Sequence, residues 1–408
     1  MSSEYLENRV YELLERHLSH RPFHIRRLAS VCTGLQLART TQLSQVARWV
    51  RKETQRDSRE QFLKRFLLSP YFNQEAAYYP LVTAALSRYK APVWHLILDR
   101  TNLDKHRLDL LMISLAFRKR ALPLGWEVRP FGGTGSETQI RLLDRITSLI
   151  PAQQRVIVHG DTEFGSVSMM RYICTHPGWD FILAQKKKTY FQTGSGDWIY
   201  LADLPVKPRQ PIYQANLTWT KQHQYQSVNL FAFYAPHQSG PTSPKYQLRY
   251  CATSLPIAHT LRRLGRRRWG IECMFRDYKS SGWHIDQSGL QNPDQTETLL
   301  VLLSINYLWA TVLGRWLCKS GRRREVDTKK SGILVIFALA LIGSLINTPS
   351  GEISPLTLNC TINPFSYSVL FRILLNGREV SLVETFCHVS GLTKQTNGEQ
   401  YGRLADKH

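Results

Sequence analysis

Two short apolar runs each deliver an aspartate, and this repetition constrains the fold more than any other feature. Val93 to Leu98, VWHLIL, reads as a buried strand ending in Asp99. Arg155 to Val158 reads as another, running into HGDTEFGS and so presenting Asp161. Between them, Leu110 to Phe117 (LLMISLAF) and Leu122 to Val128 (LPLGWEV) read as further strands. A helix follows from Ser136, its expected N-cap, with Ile140, Leu143, Ile146 and Ile150 on one face. After Asp161 come a helix around Met169 to Cys174 and a strand, WDFILA. This order is mixed α/β, with two acids at strand ends.

The flanks differ in texture. From Glu4 to about Pro70, Tyr5, Val10, Leu13, Leu14 and Leu18, then Val46, Trp49 and Val50, recur at helical spacing among Arg21, Arg26, Arg27, Arg39, Arg48, Arg51 and Lys52. This region, 1–85, reads as a helical DNA-binding head or as helices with a solvated basic face. The α/β core covers 90–185. Within 186–255, glycines and prolines separate WIYLA, YQANLTW, VNLFAFYA and QLRYCAT, whose alternation predicts a β-rich insertion. A long helix is expected from Pro256 to about Ser281 with Gly282 as C-cap, completing the core over 256–295. The region 296–408 reads as helical: two apolar helices, then a basic linker (SGRRREVDTKK) and a Pro/Gly/Asn-rich tail.

Lysine and arginine number 53 against 31 acids, a net charge of +22, so nucleic acid is the first partner to consider. The seven cysteines stand singly, which argues against a zinc ribbon or a disulfide framework. The N-terminal stretch lacks the apolar core of a signal peptide, and a reducing, cytoplasmic and nucleoid-associated setting is expected. The run GILVIFALALIGSLI falls short of the roughly 18 to 20 residues that span a bilayer. The run around Leu299 to Leu313 is interrupted by Ser304 and Asn306. Both read as core helices, with no membrane partner.

Cutting and joining phosphodiesters requires an activated oxygen nucleophile and stabilisation of charge on the phosphate and the leaving oxygen, which two hard cations supply. Such cations take oxygen ligands, so a few carboxylates suffice. On the Pro256 helix, Arg268, Glu272, Arg276 and Lys279 share about a quarter of the circumference beside an apolar stripe of Leu264, Ile271, Met274, Phe275 and Tyr278. Asp277 points nearly the opposite way. Taken alone, Arg268 and Glu272 also describe a surface ion pair worth a few tenths of a kcal/mol. His95 and His159, near the aspartates, read as core histidines; Asp104 follows the first strand, and Glu163 supports the site or the fold. Lys186, Lys187 and Lys188 read equally as a phosphate track or a solvated turn.

In GRRRWGIECMFRDYK, Arg268, Glu272 and Lys279 have the spacing R-x3-E-x6-K, which resembles the Y-x2-R-x3-E-x6-K signature of bacterial insertion-sequence transposases of the insertion-sequence-four family. LDRT at Leu98 to Thr101 is similar to that family's first-aspartate strand, and GDTEF at Gly160 to Phe164 to its GDREF. The resemblance spans about residues 90 to 290. Gly265 stands where the signature has tyrosine and Thr162 where GDREF has arginine, and neither departure touches the carboxylates.

The resemblance implies an RNase H-like mixed-sheet core carrying a DDE triad of Asp99, Asp161 and Glu272 as catalytic and metal-binding residues, with Arg268, Arg276 and Lys279 on DNA. It implies Mg2+, two ions, with Mn2+ able to substitute, and double-stranded DNA with terminal inverted repeats and target DNA as partners. A homodimer bridging two ends is implied as well. Trp198, Tyr200 and Tyr190 are the candidates for stacking on an extruded base. The expected function is an insertion-sequence transposase with endonuclease and strand-transfer activities. The alternatives are a metal-dependent nuclease on the same fold, distinguished by the absence of joined product, and a non-catalytic DNA-binding regulator, against which the intact acid triad speaks.

Overall fold

The computed structural model describes residues 3–50, 54–103, 107–236 and 246–319, and three strands between 359 and 383. Helices α1 (Ser3–Glu15), α2 (Pro22–Ala38), α3 (Leu43–Val46) and α4 (Arg56–Leu67) follow the apolar spacing, burying Val10 and Leu14 from α1 and Leu28 and Leu35 from α2. A π-helical turn at Gln74–Tyr78 leads into α5 (Tyr79–Leu86). Gln74 grips the backbone of Trp126, donating to its carbonyl at 2.8 Å and accepting from its amide at 3.0 Å. The buried side chains of these helices belong to the same hydrophobic core as those of the sheet.

Three antiparallel strands open the sheet: β1 (Val93–Leu103), β2 (Leu108–Phe117) and β3 (Arg120–Pro130). Next come α6 (Ser136–Arg145), β4 (Arg155–Gly160), α7 (Val167–Cys174) and β5 (Trp179–Gln185), with β4 parallel to both β1 and β5. Every residue of β2 is buried, so both faces of the sheet are covered there. The insertion adds β6 (Tyr190–Gln192), β7 (Trp198–Tyr200), β8 (Ile212–Trp219), β9 (Tyr225–Pro236) and β10 (Tyr246–Thr253). Because β10 pairs with β5, the insertion extends the same sheet, in the order β3-β2-β1-β4-β5-β10-β9-β8-β6-β7.

Local expectations differ from the structure at several points. β1 continues past Asp99 to Leu103, because antiparallel pairing with β2 persists after the parallel partner β4 has ended. Ser136 is the first residue of α6; the cap position is Gly135, without a side-chain cap bond. The continuous helix expected from Pro256 is α8 (Leu261–Gly265), a 3-10 turn over Arg266–Arg268 and α9 (Trp269–Tyr278). Gly265, a poor helix former, and three adjacent like charges coincide with that break. The C-cap of α9 is Lys279; Gly282 crosses so close over the helix end that a Cβ there would lie 2.0 Å from the Asp277 carbonyl oxygen.

Helix α10 (Pro293–Lys319) packs on β3, with Glu297 accepting from the Val128 amide at 3.0 Å. By length and composition Pro293–Arg315 could cross a membrane, yet 78% of its apolar window is buried inside the protein. Its interrupting polar residues are satisfied there: Asn306 accepts from Gln36 at 2.8 Å, and Ser304 bonds the Tyr278 hydroxyl at 3.0 Å. Strands β11 (Asn359–Ile362), β12 (Val369–Leu375) and β13 (Arg378–Val383) form a small antiparallel sheet. The C-terminal region is therefore not helical throughout, in keeping with the period-two alternation of REVSLV. Asp104, Arg51, Lys52, the basic linker from Ser320, the run from Gly332 to Ile346 and most of the tail lie outside the described residues.

Candidate active site

The parallel pairing of β1 and β4 ends with Leu98 opposite Gly160, so Asp99 and Asp161 are the next residues on neighbouring chains. Gly160 is required at that point: a Cβ would lie 2.6 Å from the Phe164 Cβ, where the chain turns back after Asp161. The Asp161 carboxylate accepts the Glu163 amide at 2.8 Å, and the Asp99 carboxylate accepts the Arg100 amide at 2.9 Å.

Helix α9 brings the third acid. Arg268 donates from Nη1 to Asp99 Oδ2 and from Nη2 to Glu272 Oε1, each at 2.7 Å, so one guanidinium bridges the two carboxylates. The pair expected from the i, i+4 spacing is present, and it reaches into the sheet instead of lying on the surface. Asp99 is 7% exposed. Burial pushes its carboxyl up to about 7, Asp161 and Glu272 push the same way, and Arg268 and the Arg100 amide oppose them.

Lys279 bonds Thr101 Oγ1 at 2.8 Å and the Asn102 carbonyl, tying the end of α9 to β1 just beyond Asp99. Arg276 is exposed on the same helix. Asp277, on the other side, is buried where Arg120 donates to it at 2.8 Å and the Tyr307 hydroxyl at 3.3 Å. The insertion aromatics sit elsewhere: β6 is five strand positions from β4, roughly 24 Å at the usual spacing. Tyr190 and Tyr200 stack on each other at 3.9 Å, with Lys221 4.1 Å above the Tyr190 ring; Trp198 is half-buried across from Gln192. Lys186, Lys187 and Lys188 are exposed in the turn after β5.

Three features escaped the sequence reading. His95 and His159 are partners, Nδ1 to Nε2 at 2.9 Å, and burial holds both below the usual histidine range. Arg100 Nε donates to both Glu163 oxygens at 2.9 Å, linking the residue after Asp99 to the second residue after Asp161. Trp269, 44% exposed beside Arg268, is an aromatic among arginines, and RRRW was its only signal.

The donor set suits a hard divalent cation: three carboxylates and no thiol. Among the described residues no three such ligands converge on one point, since the guanidinium stands between Asp99 and Glu272. One guanidinium against three carboxylates leaves the cluster short of positive charge, and a cation would compensate it.

A mixed sheet thus sets Asp99 beside Asp161, and the turn and helix over Arg266–Tyr278 bring Arg268 and Glu272 to them. The family described as Transposase DDE domain matches residues 94–309, and the chain belongs to that family. It is thus a DDE-type transposase, an enzyme that cleaves nucleic acid, and such transposases generally use divalent metal ions. No curated protein matches it. Among solved structures it is similar to the piggyBac transposase synaptic complex with hairpin DNA, at 10% identity and a TM-score of 0.32, covering 89% of this chain and 77% of that one.

Proposed function

We propose that the chain is an insertion-sequence transposase of the insertion-sequence-four family that cuts the ends of its element and joins them to target DNA. The observation that carries this reading is the Asp99, Asp161 and Glu272 cluster with Arg268 bridging two of its members. The R-x3-E-x6-K spacing supports the family, and the β3-β2-β1-β4-β5 order with β4 parallel to its neighbours supports an RNase H-like core. The proposed domains are the head over 1–85, the core over 90–185 and 256–295, the insertion over 186–255 and the C-terminal region over 296–408.

In this reading Asp99, Asp161 and Glu272 hold divalent cations, Mg2+ by preference with Mn2+ able to substitute. The bound ions supply activation of the attacking oxygen and stabilisation of the leaving one. Arg268 holds Asp99 and Glu272 at a fixed separation, and its planar guanidinium would also suit a phosphate beside them. Lys279 and exposed Arg276 flank the cluster and position the DNA backbone. The partners are double-stranded DNA bearing terminal inverted repeats and a target duplex, engaged by a homodimer. Trp198, Tyr200 and Tyr190 are the candidates for stacking on an extruded base.

The test is cleavage and joining of a labelled duplex carrying the inverted repeats that flank the gene. Mg2+-dependent nicking followed by joined product supports the reading; nicking without joining from pre-cleaved ends defeats it in favour of a nuclease.

A further inference from the structure

Two aspartates set side by side repel each other, and although Asp99 stays paired with Met112 of β2, no ladder joins it to Asp161. The β1–β4 ladder stops at Leu98 and Gly160, one residue before each acid. The next links between the two chains are Arg100 and Glu163. Arg100 Nε donates to both Glu163 oxygens at 2.9 Å. The same two residues hold the acids through their backbones: the Arg100 amide donates to Asp99 Oδ1 at 2.9 Å, and the Glu163 amide to Asp161 Oδ1 at 2.8 Å.

The pair is anchored on both sides. Arg100 Nη1 lies 3.0 Å from Oδ2 of Asp109, a buried residue of β2 that also accepts the Gly132 and Gly133 amides at 3.3 Å. Glu163 Oε1 accepts the Thr134 hydroxyl at 2.7 Å and its amide at 3.2 Å, which fixes the segment entering α6. An isolated exposed ion pair contributes little to stability. A pair anchored to two elements and bonded to both acids fixes a distance instead.

We infer that Arg100 and Glu163 are positioning residues that set the separation and orientation of the Asp99 and Asp161 carboxylates for cation binding, an inference that rests on the metal-dependent reading above. Their side chains engage each other, and their backbone amides engage the two acids.

The experiment is Mn2+ binding to the full chain without DNA, read by electron paramagnetic resonance, with thermal unfolding in parallel. Arg100→Ala and Glu163→Gln should each weaken binding by about 10- to 100-fold, as loss of groups orienting metal ligands does. The double variant should bind no more weakly than the poorer single one, because both act through one link. Glu163→Gln preserves volume and the Thr134 contact, so it decides the matter if Arg100→Ala fails to fold. Parent-like Mn2+ binding by Glu163→Gln, or fully additive losses in the double variant, overturns the inference. Asp99→Asn is the control: if it too binds Mn2+ like the parent, the metal-site reading has failed and not the positioning role.

Discussion

Leu98 of β1 and Gly160 of β4 are the last register partners of a parallel pair. The residue after each is an aspartate beyond that parallel pairing, although Asp99 stays paired with Met112 of β2. From this follows the electrostatics of the site, because repelling carboxylates side by side need a cation, and Arg268 supplies one from the turn that enters α9.

Glu272 and Asp277, five residues apart on α9, should behave in opposite ways. Glu272→Gln removes the charge of the proposed ligand from a partly open position, so Mg2+-dependent cleavage should fall at least about 100-fold while the protein unfolds as before. Asp277→Asn breaks a buried ion pair with Arg120 and should lower stability by roughly 1–3 kcal/mol, with activity per folded molecule retained. Cleavage assays beside thermal melts check both; an inactive, fully stable Asp277→Asn would misplace the third ligand.

Arg268→Ala should destabilise the metal-free protein more at pH 8 than at pH 5. The folded-state value of Asp99, about 7, lies above its ordinary 3.8. Folded protein therefore keeps a proton that the unfolded chain releases, and this group's contribution to stability falls as pH rises from about 4 to about 7. Above that window Asp99 is charged and needs the guanidinium most. Melting curves at the two pH values test it, and Arg268→Lys should rescue only partly, since one ammonium is a poor fork for two carboxylates.

The His95–His159 pair should give the opposite slope. Burial, with Arg267 adding to it, pushes His95 down to about 4 from 6.5. The neutral form is thus favoured in the folded state: its stabilisation is complete above about 6.5 and is lost as pH falls toward 4. Relative to its own stability at pH 7.5, His95→Gln should lose less on acidification than the parent. Equal acid slopes in the two proteins would remove the pair from the account.

The tyrosine stack offers a separate test. Tyr200 lies on edge strand β7 against Tyr190, so Tyr200→Ala should cost only about 0.2–1 kcal/mol of stability. A large loss of cleavage on fully paired ends, partly restored by an abasic nucleotide at the extruded position, is expected if these rings receive a base. Loss of stability with unchanged specific activity would make them packing residues of the hairpin.

The apolar runs leading to Asp99 and Asp161 were legible as strands from the chain alone, because a buried strand is a short apolar run and the acid after it is visible. The i, i+4 relation of Arg268 to Glu272 was legible too, since helical geometry is local. What the sequence could not state was any fact requiring two distant segments at once. Register alone sets Asp99 beside Asp161, and packing of α9 on β1 to β3 turns Arg268 inward to bridge Asp99 and Glu272. Likewise, the partners of Asp277, His95 and Arg100 lie 157, 64 and 63 residues away in the chain. Side-chain periodicity tells which face of an element is apolar, but which cation meets which carboxylate depends on how those faces are stacked, and only the tertiary structure decides that.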